Sequence, residues 1–222
     1  GGLRNTAFPR HRYSVKEGDT MELLLICVIL VAIVTAIVWI AKNAGSSNKT
    51  AEYEKRRAGR CGEIAATNAI QHILRDGDRL FTNVEVSFQD KSAELDNVVV
   101  NRFGVFIIEV KNYKGRLYGN ENDYEWMKYK DDGYGTTFVK KVKNPIRQVK
   151  RQVYVLAKYL DHHGSHVWVK GYALLLQGNS PVHSTDVLSS LEDIDAAIHT
   201  PDRKLLTEQQ IDSIVRLLSH GL

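Results

Sequence analysis

The longest uncharged stretch of the chain, residues 23–41, constrains its fold more than any other feature. It contains 19 residues in a row without an Asp, Glu, Lys or Arg. As a helix it would extend roughly 28 Å, close to the thickness of the hydrocarbon core of a membrane. Trp39 lies where an interfacial aromatic residue is expected, and Lys42 ends the stretch. We therefore predict one transmembrane helix over residues 21–42.

Two other structures are compatible with an apolar stretch of this length. A helix buried in a soluble core would carry a polar stripe, but only Thr35 and Cys27 interrupt the apolar residues. A cleaved signal sequence would end in a small-x-small pattern, which residues 41–45 match only weakly. Both alternatives fit the sequence less well than a retained membrane anchor.

Charges on the two sides of this stretch predict its orientation. Six basic and two acidic residues lie within residues 42–60, whereas Glu22 is the one charged residue between Met21 and the apolar stretch. Because basic flanks stay on the cytoplasmic side, we expect the C-terminal domain in the cytoplasm and the anchor in a bacterial inner membrane. Residues 43–59 then form a basic juxtamembrane linker, which also suits anionic lipids.

The first 20 residues have neither an apolar period nor the features of a signal peptide. They end just before Met21, and Lys-Glu-Gly at positions 16–18 can be encoded by a sequence that contains a bacterial ribosome-binding site. We therefore interpret residues 1–20 as an unstructured leader or upstream read-through, with Met21 as the true start.

The rest of the chain, residues 60–222, has the composition of one globular domain. Of the 222 residues, 43% are hydrophobic and 25% are charged, and there are two cysteines, which excludes a disordered chain and a disulfide framework. The formal charge of +4 belongs to the N-terminal segments, because residues 61–222 contain 20 Lys and Arg against 21 Asp and Glu. An anionic ligand of this domain must therefore bind to a local basic patch.

Hydrophobic periodicity divides this domain into helices and strands. Apolar residues at helical spacing predict helices over residues 60–75 and 146–159, and a further helix that begins at Thr207. Apolar runs predict strands over residues 80–88, 94–101, 104–111 and 167–176, with hairpin strands or an insertion over 113–119 and 126–139. This order predicts an α/β fold in which helices cover the faces of a sheet.

Charged side chains at the end of the third predicted strand indicate a metal site. Glu109 and Lys111 share one face, since side chains two positions apart on a strand point the same way. A turn at residues 102–103 would place Asp96 opposite Glu109. The two carboxylates and the Val110 carbonyl would offer oxygen ligands to Mg²⁺, or to Mn²⁺, and Lys111 could stabilise charge on a phosphodiester. A surface salt bridge is the alternative interpretation.

Five short segments in this order resemble the nuclease-related domain (NERD) family of the PD-(D/E)xK nuclease superfamily. They are Gly62-Glu63 in the first helix, Glu94-Leu95-Asp96-Asn97 in the second strand, Ile108-Glu109-Val110-Lys111-Asn112 in the third, Tyr113, Gly115 and Trp126 after it, and Asn144-Pro145-Ile146-Arg147-Gln148 at the next helix. The resemblance covers roughly residues 60–175. It implies a restriction-endonuclease-like mixed sheet flanked by helices.

The resemblance also implies roles for individual residues. Asp96 and Glu109 correspond to the metal ligands and Lys111 to the catalytic lysine. Glu63 corresponds to the acid on the first helix and Gln148 to the polar residue on the second. The superfamily motif usually begins Pro-Asp; here a leucine precedes Asp96, which leaves the carboxylate in place. An ordinary first-turn helix acid and an ordinary helix-face residue are the alternatives for the two helical positions.

Six basic residues near the second predicted helix are candidates for nucleic-acid contacts. They are Lys140, Lys141, Lys143, Arg147, Lys150 and Arg151. Such a patch suits a phosphate backbone, although a solvated surface has the same composition. We therefore predict a membrane-anchored, Mg²⁺-dependent nuclease, with DNA as the expected substrate. A non-catalytic nucleic-acid or protein binding module tethered to the membrane is the alternative, and the sequence leaves the oligomeric state open.

Overall fold

A computed structural model describes residues 17–131, 133, 135–201 and 203–219 of the chain, with side chains at 28–39, at 52–54 and from 56 onward. In chain order the elements are α1 (Glu17–Ile73), β1 (Arg79–Phe88), β2 (Lys91–Asn101), β3 (Gly104–Lys111), β4 (Arg116–Tyr118), β5 (Glu125–Asp131), β6 (Thr137–Lys143), α2 (Pro145–His162), β7 (Val169–Leu175), β8 (Val187–Leu188), α3 (Leu191–His199) and α4 (Glu208–Ser219). Residues 1–16 of the predicted leader lie outside the described residues. The chain divides into two compact units, Gly1–Glu54 and Lys55–Leu222.

The first helix, α1, is longer than the sequence predicts, since it includes the residues interpreted as a linker. Residues 51–58 are almost all Ala, Glu, Lys and Arg, which favour a helix and explain why α1 does not break there. Within the predicted anchor, side chains are described at residues 28–39 and are exposed, whereas the others lie outside the described residues. In the part of the chain that the structure describes, no helix combines enough length with enough apolarity to cross a membrane.

A five-stranded sheet forms the centre of the second unit, in the order β1-β2-β3-β7-β8. β1, β2 and β3 pair antiparallel, whereas β7 runs parallel to β3, and β8 runs parallel to β7. β3 is therefore the central strand, and all of its residues except Lys111 are buried. The turn at residues 102–103 pairs Asn101 with Gly104, as predicted. The α/β fold with a mixed sheet is confirmed.

Alternate residues of the central strands pack against helices on opposite faces of this sheet. Val98 and Ile107 lie in one apolar cluster with side chains of α2 and α4. Val99 and Ile108 lie in another cluster with side chains of α1 and α3. Because side chains alternate along a strand, Glu109 has the same orientation as Ile107 and faces α2. The packing of the apolar core thus decides which helix meets the charged end of β3.

A second sheet of three antiparallel strands, β4-β5-β6, lies between β3 and α2 in the chain. The sequence predicts hairpin strands or an insertion at this place. Trp126 of β5 is fully buried and packs with Leu117, Ile146 and Leu175. A Cβ atom at Gly119 would lie 2.2 Å from the Trp126 ring, so glycine is required there. The buried tryptophan therefore holds the small sheet against the start of α2 and the end of β7.

One buried histidine connects α3 to the start of β1. The ring nitrogens of His199 lie 2.6 Å from Asp195 Oδ1 and 2.8 Å from Asp78 Oδ2, and its side chain is 3% exposed. Arg75 donates two more hydrogen bonds to Asp195. The resulting charge cluster fixes the segment between α1 and β1 against α3.

We expect His199→Gln to destabilise the fold, because the glutamine side chain cannot keep both buried hydrogen-bond contacts that the histidine ring makes, with Asp195 and with Asp78. Loss of a buried hydrogen bond to a charged group costs about 1.5–3 kcal/mol, which corresponds to a fall of roughly 3–12 °C in Tm for a chain of this size. Thermal unfolding measures the effect. His72→Gln changes an exposed histidine near the end of α1 and serves as the matched control. Equal Tm values for the two variants would contradict a stabilising role for His199.

Candidate active site

The Glu109 carboxylate lies near the end of the central strand and is almost fully buried, with 1% exposure. Its Oε1 atom accepts hydrogen bonds from Lys111 Nζ and from Gln148 Nε2. Its Oε2 atom accepts a hydrogen bond from Gln152 Nε2 at 2.6 Å. A buried charge is stable only with such partners. The three donors therefore allow Glu109 to remain ionised inside the domain.

The β2–β3 ladder keeps the predicted register up to the pair Asn97–Ile108, and Asp96, the next residue of β2, lies close enough to Glu109 for the two charges to interact. Asp96 Oδ2 accepts a hydrogen bond from the backbone N–H of Val110 at 2.8 Å. Burial, and next the charge of Glu109, raise the pKa of Asp96 from 3.8 to about 7, although the Val110 N–H and Lys111 act in the opposite direction. The two carboxylates thus repel each other across the antiparallel pair.

Glu63 lies on α1, close enough to Asp96 for its charge to raise the pKa of that carboxyl. Both side chains line an open cleft of about 510 Å³. Asn83 also lines the cleft; its φ of 52° falls in the left-handed region, and it is absent from the otherwise regular β1–β2 ladder. The sheet is therefore distorted beside Asp96, at the place where the cleft opens.

Lys111 ends β3 on the same face as Glu109, and its side chain is 19% exposed. Burial acts to lower the pKa of Lys111, but the charge of Glu109 and its hydrogen bond more than offset burial, so the pKa is raised. Lys111 is therefore an ammonium ion at neutral pH. Tyr113 lies near this ammonium, and burial raises the pKa of the tyrosine although Lys111 acts to lower it.

Two glutamines on α2 hold the Glu109 carboxylate from the helix side. The helix begins at Pro145, where Asn144 caps it by accepting the N–H of Ile146 at 3.0 Å. Gln148 and Gln152 are four residues apart, so they share one face of the helix. Gln148 donates to Glu109, and among the described residues it forms no hydrogen bond with Lys111. The helix start thus positions both amides over the end of β3.

The sequence interpretation includes Gln148 but misses Gln152. Gln152 is 2% exposed, and its amide nitrogen donates both to Glu109 and to the Glu94 carbonyl at 2.8 Å. Its Oε1 atom is buried and has no hydrogen-bond partner among the described residues. A polar residue one turn after Gln148 on the apolar face of an amphipathic helix is the signal that could have identified it.

The nuclease-related domain family matches residues 58–176, more than half of the chain. The chain belongs to the nuclease-related domain family. An uncharacterised protein of Bacillus anthracis is 25% identical over 107 residues, which are 48% of this chain and 46% of that protein. The chain thus spans about half the length of this curated relative. No solved structure matches the chain.

The nuclease-related domain brings together the five predicted catalytic residues from four elements. They are Glu63 on α1, Asp96 on β2, Glu109 and Lys111 on β3, and Gln148 on α2. The Val110 carbonyl points toward β2, as its N–H does, since both groups of one residue project to the same side of a strand. Among the described residues, no three His, Cys, Asp or Glu side chains are grouped closely enough to hold a metal ion by themselves. A metal site here would therefore have to rest on two carboxylates and a backbone oxygen.

The six predicted nucleic-acid contacts of the nuclease-related domain do not form one free patch. Lys141 lies 3.3 Å from Glu125, and Lys150 contacts both Glu121 and Asp186, at 2.9 and 3.6 Å. Arg147 donates to the Asn122 carbonyl and stacks over the Tyr124 ring at 5.2 Å. Lys140, Lys143 and Arg151 are exposed and have no carboxylate partner within the described part of the chain. Their contact with nucleic acid remains a prediction.

We expect Gln152→Leu to destabilise the domain, because it removes the one donor to Glu109 Oε2 among the described residues. An unsatisfied buried carboxylate oxygen costs about 1–3 kcal/mol, or roughly 2–12 °C in Tm. In the double variant Gln152→Leu/Glu109→Gln, the loss of stability should be smaller than the sum of the losses in the two single variants, since the buried charge is gone. Thermal unfolding of the wild type, the two single variants and the double variant measures these losses. A substitution at an exposed position, Gln209→Leu, is the control. Additive effects would contradict coupling between Gln152 and Glu109.

Proposed function

We propose that this domain hydrolyses phosphodiester bonds of nucleic acid with the aid of Mg²⁺, and that DNA is its substrate. The observation that supports this most strongly is the convergence of Asp96, Glu109 and Lys111. Of these three residues Asp96 lines the cleft, together with Glu63. Membership of the nuclease-related domain family supports a nuclease-related activity of the matched segment, residues 58–176. The metal, the substrate and the reaction are parts of the proposal.

The donor set suits a hard divalent cation. Asp96 and Glu109 are adjacent carboxylates in a partly buried site, and their repulsion contributes to the raised pKa of Asp96. A divalent ion bound to both would remove that repulsion, and Mg²⁺ and Mn²⁺ prefer oxygen ligands of this kind. The Val110 carbonyl would add a third oxygen. Such an ion supplies Lewis acidity and lowers the pKa of a bound water.

The remaining residues act on the substrate or hold the ligands in place. The Lys111 ammonium can donate a hydrogen bond to the attacking water or to a phosphoryl oxygen that gains charge. Gln148 and Gln152 fix the orientation of Glu109 through their amide nitrogens. Glu63 faces the cleft, where it can assist metal ligation or accept a proton from the water.

Attachment to a membrane is a separate part of the proposal and rests on the sequence. Residues 23–41 lack charged side chains and are followed by a basic segment. We propose that they anchor the chain in a bacterial inner membrane with the nuclease-related domain in the cytoplasm. A nuclease held in this way would reach only nucleic acid that comes close to the membrane surface.

One observation favours the alternative of a non-catalytic binding module. Three side-chain donors already satisfy both oxygens of Glu109, so this carboxylate does not need a metal ion to be stable. In that case the same residues would have a structural role, and the domain would bind nucleic acid or a protein without cleaving it.

The purified full chain should cleave DNA in the presence of Mg²⁺ or Mn²⁺. Asp96→Ala and Lys111→Ala should each lower the rate at least about 100-fold, since each removes a group that stabilises the transition state. The assay compares plasmid, linear duplex, single-stranded DNA and RNA, with the exposed Lys204→Ala as control. Equal cleavage by the wild type and the Asp96 and Lys111 variants would indicate a contaminant and end the enzyme proposal. Salt-sensitive binding without cleavage would support the binding module.

Mg²⁺ should also stabilise the chain in the absence of substrate. A ligand at 100 times its Kd adds about 2.7 kcal/mol to the stability of the folded state, which raises the Tm by roughly 5–10 °C. Asp96→Asn should remove this shift, and its metal-free form should unfold above the metal-free wild type, because the repulsion with Glu109 is lost. Thermal unfolding with and without EDTA gives both readings. A Tm of the wild type that does not respond to Mg²⁺ or Mn²⁺ would contradict the metal site.

A further inference from the structure

One face of the small sheet changes from apolar to basic along its strands. Trp126 is buried on this face of β5, and Lys128 and Lys130 follow it at two-residue intervals, with increasing exposure. On β6, Lys140 lies directly opposite Lys128, and Phe138 lies opposite Lys130. The three lysines therefore form one group, here called the lysine cluster, just beyond the apolar contact that holds the small sheet in place.

The lysine cluster lacks the counter-charges that the other face of the same sheet has. On that other face Arg116 lies 3.7 Å from Asp131, and Lys141 lies 3.3 Å from Glu125. By contrast, no described carboxylate pairs with a lysine of the cluster. Two like charges directly opposite each other destabilise a pair of strands. The sequence thus places neutralised charges on one face and mutually repelling charges on the other.

The position of Lys128 adds to this unfavourable arrangement. Its side chain is partly buried, and burial, followed by the charges of Lys140 and Lys130, lowers its pKa. Such an arrangement is expected where an anion normally neutralises the site, as in a surface that binds phosphate groups.

The lysine cluster is also close to the candidate active site. Lys128 Nζ lies 5.9 Å from the centre of the Tyr113 ring. The electrostatic influence of Lys111 and Glu109 reaches the same tyrosine. Because Tyr113 follows Lys111 by only two residues in the chain, the cluster lies near the end of β3, and an extended polyanion could contact both.

We propose that the lysine cluster binds the phosphate backbone of a single-stranded segment of nucleic acid that leads into the candidate active site. Phe138 supports unpaired bases as the ligand, because it is 59% exposed beside the cluster and offers a ring on which a base can stack. This inference rests on the proposed function for the identity of the polymer. It assigns the phosphate contacts to the small sheet, whereas on α2 Lys150 is paired with carboxylates and Arg147 is occupied by other contacts.

Binding of a fluorescein-labelled 20-nucleotide single strand to the full chain, in EDTA, tests the inference without cleavage. Lys128→Gln/Lys140→Gln should weaken binding about tenfold at 100 mM salt and reduce the slope of log Kd against log salt by about 1.4, since each lost phosphate contact changes the slope by about 0.7. Lys158→Gln/Lys204→Gln removes two exposed lysines elsewhere and is the matched control. An unchanged affinity and slope in the Lys128/Lys140 variant would overturn the proposal.

Further measurements separate this result from misfolding and from other ligands. Lys128→Gln/Lys140→Gln should unfold at the same temperature as the wild type or higher, because it relieves a repulsion between lysines. A lower Tm of this variant, together with an equal loss of binding in the Lys158→Gln/Lys204→Gln control, would overturn the assignment. Phe138→Ala should weaken binding of the single strand more than that of a matched duplex, and an equal effect on both would exclude unpaired bases. Polyglutamate that competes as strongly as DNA would identify an acidic protein segment instead, again against the proposal.

The two proposals can fail independently in these assays. Loss of cleavage in Asp96→Ala with normal single-strand binding leaves the lysine cluster supported. Normal binding and cleavage in Lys128→Gln/Lys140→Gln would overturn the inference about the cluster and leave the nuclease proposal intact. A wild-type chain that binds the single strand through these lysines but never cleaves it would keep the inference and overturn the nuclease proposal.

Discussion

The buried carboxylate of Glu109 is the group on which the arrangement of the site depends. It lies on the central strand with 1% exposure, and an ion in that position is stable only when donors reach its oxygens. Lys111 comes from the same strand, but both glutamines come from α2. The strand can therefore hold this charge only once α2 has packed on the correct face of the sheet. The cap at Asn144, which fixes where α2 begins, is in this sense part of the site.

Asp96 and Glu109 have different hydrogen-bond partners, and this difference bears on the proposed metal site. Glu109 has both oxygens bonded to side-chain donors, whereas Asp96 accepts one backbone N–H and lies beside an open cleft. Glu109 is thus fixed by the fold itself, whereas the charge of Asp96 is disfavoured, and the proposed divalent cation would relieve it. Such preorganisation lowers the reorganisation needed when a ligand binds. Asn83, whose φ lies in the left-handed region, lines the same cleft as this second carboxylate.

Local patterns were sufficient to predict the strands and the register at the site, but not the contacts between distant segments. The apolar run before Glu109 and the short turn at residues 102–103 placed Asp96 correctly, because a hairpin is determined by neighbouring residues. Gln152 was missed, since its role depends on which face of α2 meets the sheet. The sequence also predicts a linker over residues 43–59, whereas α1 runs through these residues without a break.

The pairing of charges is the property of this domain that is hardest to predict from its sequence. A count of residues 61–222 gives nearly equal numbers of acidic and basic side chains, and a run of basic residues predicts a patch wherever it occurs. Which of those charges are free depends on contacts such as Lys150 with Asp186 and on the β5–β6 register, which places Lys128 against Lys140. Like charges that face each other across a ladder remove stability from the small sheet itself. Among the described residues, the lysines on one face have no carboxylate partner, whereas Arg116 and Lys141 on the other face do. The needs of folding do not explain this difference, and the proposed anionic ligand would.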